Sequence, residues 1–310
     1  MMSLESYYGG DRVVDSQVAQ LYNKCGSEEP WAHRTLEAKD IENLFRLSWF
    51  SSSLFAVLRL DRRVVGFIRV WMGRSSCEVW LCVDPDLPEV LRVEAVEKML
   101  SWASARCREL GTPQLSIWSG YRFSYMHRAI RSVLTWYVED VGSMLMRFSG
   151  KVVDVEPPPN YRFSVLDSVD TEVLRSVVEV YNQAFSIYDW FSPKSFEDIL
   201  TEFSWLRPIY IVALREGEVV GYAMLNTFRA IDGEISAEVV ELAVKPRYRG
   251  RGIGKALLHY ATLYAVDRLG VRDRLFLLAV PELIKFYYSM GYTPWREYMV
   301  IRTLLTSLPA

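Results

Sequence analysis

The sequence predicts an α/β (α+β) fold of two tandem domains, each a mixed, mostly antiparallel β-sheet flanked by helices. Two observations carry this prediction. The chain has 310 residues, enough for two domains, and its halves repeat the same order of predicted elements. In each half the hydrophobic pattern predicts helix, helix, antiparallel strands, strand, helix, strand, helix and final strands. Strands interleaved with helices in this order favour a sheet covered by helices.

The repeat is visible in three pairs of segments. FAVLRLDRRVVGFIRV (55–70) and YIVALREGEVVGYAML (210–225) align without a gap at an offset of 155 residues, and each predicts a β-hairpin. Upstream, VAQLYNKC (18–25) matches VVEVYNQAF (177–185). Downstream, EVWLCVDP (78–85) matches VVELAVKP (239–246). Three matches in the same order indicate an internal duplication.

A proline-rich stretch separates the two copies. GKVVDVEPPPNYRF contains Pro157, Pro158 and Pro159, which disfavour both a helix and a central strand. We therefore predict a first domain at residues 1–150, a linker at 151–160 and a second domain at 161–310.

Composition limits the classes of function. The 36 basic and 38 acidic residues give a net charge of -2, which disfavours an extended nucleic-acid surface. No apolar run approaches the ~20 residues that span a bilayer, and MMSLESYYGG lacks the basic start and apolar core of a signal peptide. We expect a cytoplasmic protein without nucleic-acid or membrane partners. In a reducing cytosol, free thiols are then expected, rather than a disulfide framework or a zinc site, at Cys25, Cys77, Cys82 and Cys107.

A glycine-rich loop is the strongest local signal. AVKPRYRGRGIGKALLHY (243–260) places three glycines among arginines, between an apolar strand and an amphipathic helix. The P-loop pattern fails because Arg249 replaces its first glycine and Ala256 its Ser/Thr, and the GxGxxG pattern fails as well. The remaining pattern is Arg-x-x-Gly-x-Gly, formed by Arg249, Gly252 and Gly254. Glycines allow close backbone approach, and the amides and dipole of a helix N-terminus favour an anion.

The order strand, RxxGxG, helix, strand and helix resembles the GNAT superfamily of acyl-CoA-dependent N-acyltransferases, over residues 160 to 305. VVELAVKPRYRGRGIGKALL (239–258) resembles strand 4 and the pyrophosphate loop of that family. RLFLLAVPELIKFYYSMGYTP (274–294) resembles strand 5 and the helix after it. The resemblance implies that the loop binds the pyrophosphate of coenzyme A, that acetyl-CoA is the acyl donor and that no metal is needed.

The resemblance also implies which residues bind the cofactor. In the family, strands 4 and 5 splay apart at a bulge and the pantetheine arm lies between them. The N–H of Val244 would then polarise the thioester carbonyl, which can lower the barrier by ~3 kcal/mol. Val280 and Pro281 stand where the family often has an asparagine that contacts pantetheine. The implied cofactor-binding residues are Leu242, Ala243, Val244, Arg249, Gly250, Arg251, Gly252, Ile253, Gly254 and Lys255.

Catalysis by direct transfer requires a proton donor for the departing thiolate and a proton acceptor for the amine. The family often uses a tyrosine four residues before the glycine that ends its last helix, which here is Tyr287 before Gly291. The matching strand-4 glutamate is Glu238. Glu241 competes with it, and ordered water is a third candidate, since simple alternation places the two glutamates on opposite faces and a bulge would change that.

The first copy lacks the cofactor motif. In VDPDLPEVLRVEAVEKML (83–100), Pro88 and Glu89 stand where Arg249 and Gly250 would fall, and no glycine follows. Acidic residues and a proline do not form a nest of N–H donors for phosphate. A degenerate first copy beside an intact second copy is similar to tandem members of the superfamily such as mycothiol synthase.

The acceptor is expected between the first two helices and the final hairpin of the second copy. SIYDWFSP (186–193) offers Tyr188, Asp189 and Trp190 as an aromatic pocket with a carboxylate for a cationic amine. The amine belongs to a small molecule, a peptide or a protein, and the oligomeric state stays open. Two alternatives to acetyl transfer remain: transfer of a longer acyl or aminoacyl group, and a non-catalytic acyl-CoA-binding regulatory protein.

Overall fold

The computed structural model describes residues 1–51, 54–166 and 168–305. The chain forms two compact units. Unit 1 comprises residues 1–143 and those from 296 onward, and unit 2 comprises Met144–Trp295. Each unit is a mixed, mostly antiparallel sheet with helices, which confirms the predicted fold class.

Unit 1 repeats the predicted order of elements. Its sheet has the order β1-β2-β3-β4-β5-β12, in which β4 and β5 are parallel and the other neighbours antiparallel. The elements are β1 (Met2–Ser6), α1 (Arg12–Cys25), α2 (Ala38–Arg46), α3 (Ser48–Ser51), β2 (Leu54–Leu60), β3 (Arg63–Met72), β4 (Cys77–Val83), α4 (Glu89–Glu109), β5 (Gln114–Tyr121) and α5 (Tyr125–Val133).

Unit 2 has the same plan, with strand order β6-β11-β10-β9-β8-β7 and one parallel pair, β10 with β11. The elements are β6 (Val138–Phe148), β7 (Arg162–Leu166), α6 (Thr171–Phe185), α7 (Phe196–Leu206), β8 (Ile209–Arg215), β9 (Glu218–Arg229), β10 (Ile235–Val244), α8 (Ile253–Leu263), β11 (Leu275–Ala279), α9 (Ile284–Ser289) and β12 (Tyr292–Leu304).

Both faces of the unit 2 sheet are covered because its strands are apolar on both sides. Leu257 and Ala261 of α8 pack on one face with Val239 and Tyr287. On the other face, α6 and α7 pack against Tyr222 and its neighbours. The hairpin of β8 and β9 turns at Glu216 and Gly217, whose φ angles of 51° and 84° suit a two-residue turn.

The last strand of each unit comes from an unexpected part of the chain. Residues 144–147 of β6 pair with β11 in unit 2, whereas residues 298–304 of β12 pair with β5 in unit 1. The units therefore differ from the predicted bounds of 1–150 and 161–310. The expected linker, 151–160, is assigned to unit 2, where the carbonyl of Val153 lies 2.8 Å from His259 Nδ1.

The cysteines differ from their expected state as free thiols. The structure joins Cys25 to Cys82 and Cys77 to Cys107 within unit 1. Cys25 lies at the end of α1 and Cys82 on β4, and Cys77 and Cys107 likewise join β4 to α4. The sequence separations of 57 and 30 residues gave no spacing signal for either pair.

We predict that reduction destabilises unit 1. Crosslinks that close loops of this length each contribute about 3–4 kcal/mol, largely by restricting the unfolded chain. Thermal unfolding with and without a phosphine reductant should show a lower melting temperature in the reduced protein. A variant with all four cysteines replaced by alanine is the control and should not respond. Four reactive thiols in the unreduced, denatured protein would contradict the assignment.

The structure offers neither a membrane span nor a metal cluster in the part of the chain that it describes. No helix there is long and apolar enough to cross a membrane. The same residues contain no group of three or more His, Cys, Asp or Glu side chains placed to hold a metal ion.

Candidate active site

The candidate site begins at a bulge in β10. The register of β10 with β9 shifts between Val239 and Glu241, so Val240 is the extra residue. The parallel pairing of β10 with β11 extends from Ala237 to Val239, whereas β10 continues along β9 to Val244. One edge of β10 therefore faces a gap beyond the bulge.

Backbone direction decides which amides face this gap. The N–H of Lys245 donates to Val220 O on β9 at 2.9 Å. Because consecutive residues of a strand direct their backbone groups to opposite edges, the amides of Leu242 and Val244 face the gap. Ala243, predicted beside them, pairs with Tyr222 on β9 and is buried. Two of the three predicted strand positions are thus brought to the gap.

The glycine loop leads from β10 into α8. Gly250 and Gly252 have φ angles of 76° and 83°, a backbone region that side chains disfavour. The first helical hydrogen bond of α8 runs from Ala256 N–H to Gly252 O. The preceding amides, of Ile253, Gly254 and Lys255, lie in the first turn, where an α-helix supplies no acceptor for them. This N-terminus suits an anion.

The two arginines of the loop have different environments. Arg249 Nε donates to Val244 O at 3.1 Å and its Nη2 to Ala184 O at 2.9 Å. These bonds tie the loop to β10 and to α6. Arg251 instead donates to Arg247 O at 3.2 Å and does not line the cleft, so among the predicted loop residues it is the one placed elsewhere.

The gap and the loop open into one cleft of 630 Å³. Val240, Leu278 and Leu283 line it and are 43%, 47% and 38% exposed. Apolar side chains left exposed in a concave surface mark a ligand site. The predicted residues that line it are Leu242, Val244, Arg249, Gly250, Gly252, Ile253, Gly254, Lys255, Tyr287, Tyr188 and Trp190.

Tyr287 occupies the wall of the cleft on α9. Burial raises the pKa of its hydroxyl above the ordinary value, and nearby Tyr188 adds to the effect. The hydroxyl therefore keeps its proton at neutral pH. Its neighbour on the helix, Tyr288, is 64% exposed and is not part of the lining.

Tyr188 and Trp190 line the same cleft rather than a separate pocket. Their rings stack with centroids 5.1 Å apart and an interplanar angle of 8°. Asp189 between them is exposed and does not line the cleft. The structure thus brings two of the three predicted acceptor residues to the cleft that Tyr287 also lines.

The bulge places Glu238 and Glu241 on the same face of β10, since the extra residue reverses the alternation between them. Neither carboxylate lines the cleft. Glu241 accepts a bond from Tyr222 OH at 2.6 Å and one from Lys194 Nζ at 2.9 Å. The role of Lys194 could not be predicted, because the sequence around a lysine in a polar loop does not indicate which carboxylates it will contact.

The matching strand of unit 1 runs straight. Within the described residues, β4 pairs with β3 without a register shift, and its parallel pairing with β5 extends to Trp80, the position that corresponds to Glu241, and Trp118. Pro88 precedes the first residue of α4. Unit 1 therefore keeps the scaffold of the repeat without the bulge that separates β10 from β11 in unit 2.

An ion cluster at the end of β10 anchors the loop. Lys245 is 2% exposed, and its Nζ lies 2.8 Å from Glu218 and 3.2 Å from Glu179. Bonds from Lys245, Tyr248 and Arg247 lower the pKa of Glu218 to about 2.

The equivalent cluster in unit 1 has the opposite charges. There Asp84 is the buried member, 3.3 Å from Lys24 and 3.5 Å from Arg63. By the hairpin offset, Arg63 corresponds to Glu218, and the matched strands align Asp84 with Lys245. Lys24 aligns with Gln183, one helical turn after Glu179, so the helix partner comes from a neighbouring position of the same helix. At this position of the fold, unit 1 thus has a buried carboxylate between two cations, and unit 2 has a buried cation between two carboxylates.

Sequence comparisons find relatives among N-acetyltransferases. A sequence model described as the acetyltransferase (GNAT) family matches residues 174–292. An uncharacterized N-acetyltransferase of Archaeoglobus fulgidus is 30% identical over 105 residues, which cover 32% of this chain and 71% of that protein. An uncharacterized ycf52-like N-acetyltransferase of Prochlorococcus marinus is 39% identical over 62 residues, 20% of this chain and 33% of that one.

Solved structures extend the likeness of fold to both copies. A tandem GNAT protein from the clavulanic acid biosynthesis pathway superposes with a TM-score of 0.70 at 15% identity, covering 98% of this chain and 99% of that one. A GCN5-related N-acetyltransferase from Sphaerobacter thermophilus gives 0.60 at 17% identity, covering 98% and 96%. The expected tandem arrangement of two such folds is confirmed, and the chain belongs to the GNAT acetyltransferase family.

Proposed function

We propose that unit 2 is an acetyl-CoA-dependent N-acetyltransferase that transfers the acetyl group directly to a primary amine. The observation that carries the proposal is the single cleft in which an anion-binding helix N-terminus, an open strand edge and a buried tyrosine meet. These are the three features that a phosphate-bearing thioester donor requires.

The residues present fit acetyl-CoA. The first-turn amides of α8 and the side chain of Lys255 would hold the pyrophosphate, and the exposed apolar residues Val240 and Leu278 would contact the pantetheine arm. The cleft volume of 630 Å³ falls in the range of ligand pockets. The donor supplies the acetyl group as a thioester.

Each residue then has a defined task. The amide of Val244 donates to the thioester oxygen as negative charge develops on it. Tyr287 OH donates its proton to the departing thiolate. Glu241 is bonded to Lys194 and Tyr222, and neither it nor Glu238, the strand glutamate that the family resemblance implies, lines the cleft. Ordered water is therefore favoured as the group that receives the proton of the amine.

The acceptor is an amine of a small molecule, a peptide or a protein. Tyr188 and Trp190 would contact it, with exposed Asp189 attracting its positive charge as it enters. The stacked rings line the same cleft as Tyr287, which supports binding of the amine in the cleft that holds the proposed proton donor for the thiolate.

Calorimetric titration of acetyl-CoA into the protein and into Gly252→Glu tests the proposal. We expect the variant to bind about 100-fold more weakly, because the substitution strains a left-handed residue and adds a carboxylate where the phosphates bind. Gly233→Glu is the matched control: its φ is 86° and it lies in open space outside the cleft, so binding should be unchanged.

A screen of amines for thiol release then identifies turnover. Release with acetyl-CoA supports the acetyltransferase, and release only with longer acyl-CoA donors would favour transfer of a longer group. Binding without turnover across the screen would favour a regulatory acyl-CoA-binding protein. Absence of binding by the unmodified protein would refute the proposed function.

A further inference from the structure

A buried ionic cluster lies on the face of β10 opposite the α8 side. Lys194 is bonded at 2.9 Å to each of two carboxylates, Glu202 and Glu241, and the three side chains are 8%, 4% and 10% exposed. The carboxylates raise the pKa of Lys194 although burial alone would lower it, so the lysine stays charged. Burying such ions costs free energy that packed apolar side chains do not cost.

Unit 1 shows that the fold does not require a charged side chain at the position of Lys194. In unit 2, Asn182 makes two bonds with the backbone of Lys194, and in unit 1 Asn23 makes the same two bonds with the backbone of Leu36. The lysine thus corresponds to a leucine.

Two other residues of the cluster also correspond to apolar residues of unit 1. Tyr222 corresponds to Phe67 by the repeat offset, and Glu241 corresponds to Trp80 when both strands are counted back from their last valine. The rings of Phe67 and Trp80 lie 5.1 Å apart in an apolar contact. Unit 1 also has a cation here, Arg69, which is the register partner of Trp80 and lies over the rings of Phe50 and Trp71. Unit 1 thus has aromatic side chains at the positions of Tyr222 and Glu241.

The position of Glu241 links the cluster to the cleft. Glu241 is the first residue after the bulge, and Leu242, its neighbour, lines the cleft. Lys194 is held by α6 and contacts α7 through Glu202. The ion pair therefore ties the strand beyond the bulge to the helices behind the sheet.

We propose that Lys194 and Glu241 are positioning residues for the acyl-CoA cleft, an inference that rests on the proposed function. Their ion pair holds β10 along the course that separates it from β11 and keeps the amides of Leu242 and Val244 free for the donor. Without it, β10 is able to straighten and continue along β11, as β4 does along β5 in unit 1.

The test replaces the ions by the apolar chemistry of unit 1. The variant combines Lys194→Met, Glu202→Leu, Tyr222→Phe and Glu241→Leu, and is compared with the unmodified protein by thermal unfolding and by titration with coenzyme A. We expect the melting temperature to be unchanged or higher, since apolar side chains replace a buried ion cluster. The Kd for coenzyme A should rise about tenfold. A purely structural cluster would not separate the two readouts.

Single variants keep the proposal testable if the combined variant does not fold. Lys194→Arg, which preserves the charge, should bind coenzyme A nearly as well as the unmodified protein, whereas Lys194→Met should bind about tenfold more weakly. Thr262→Val is the control, because it removes a buried bond to Tyr292 elsewhere in unit 2 and should leave the Kd unchanged.

The outcomes separate the two proposals. Normal coenzyme A binding by a folded Lys194→Met variant, or by the folded combined variant, would overturn the positioning role and leave the acetyltransferase proposal intact. If the unmodified protein does not bind coenzyme A, the proposed function fails and the positioning role fails with it.

Discussion

Replacing Tyr287 by phenylalanine is expected to lower kcat by about 10³-fold with the Kd of acetyl-CoA little changed. Tyr287 lines the cleft, and its raised pKa keeps the hydroxyl protonated, so under the proposed function it serves the departing thiolate rather than the binding of the donor. Thiol release by the variant, measured with the best amine from the screen, gives kcat, and calorimetry gives the Kd.

Tyr288→Phe is the matched control for this prediction. Tyr288 is the neighbouring tyrosine of the same helix, is 64% exposed and does not line the cleft, so its loss should leave kcat unchanged. If Tyr287→Phe keeps more than about a tenth of kcat, the thiolate leaves without a proton from this group.

Replacing Lys245 by glutamate is expected to destabilise unit 2 by about 3–5 kcal/mol, because it buries a carboxylate beside two others and leaves Arg247, the partner of Glu218, as their cation. Lys245 is 2% exposed, whereas its partners Glu179 and Glu218 reach solvent. Lys245→Met, which leaves those partners able to hydrate, should cost less. Chemical denaturation monitored by circular dichroism measures both.

A triple variant tests the cause. Glu179→Lys, Glu218→Arg and Lys245→Asp together invert the charges of the cluster, so that a buried aspartate lies between two cations, as Asp84 does beside Lys24 and Arg63 in unit 1. We expect it to recover most of the lost stability. If the triple variant is no more stable than Lys245→Glu, charge pairing is not what stabilises this position.

The glycine loop was predictable because its chemistry is local. Gly250 and Gly252 adopt the left-handed backbone that their identity permits, and helix α8 begins at once after them. The hairpins and the repeat were predictable for the same reason, since alternation and turn residues act over a few positions. Tyr287 was placed by its spacing from Gly291 and does line the cleft.

Features that depend on partners distant in sequence were not predictable. The side of β10 on which Glu238 lies is set by one extra residue, Val240, whose position becomes visible only in the register with β9. Cys25 meets Cys82 because α1 packs on β4, and no spacing rule encodes that contact. Arg251 lies within the glycine loop, but its side chain donates a hydrogen bond to the backbone carbonyl of Arg247 instead of lining the cleft.

The source of the strands beside β5 and β11 has a consequence for truncation of the chain. β6 pairs with β11 in the sheet of unit 2, although it begins within the predicted first copy, and β12 pairs with β5 in the sheet of unit 1, although it belongs to the predicted second copy. Removal of residues 1–150 would remove β6 and expose an unpaired edge of β11. A fragment cut at the boundary of the sequence repeat would therefore lack one strand of its sheet.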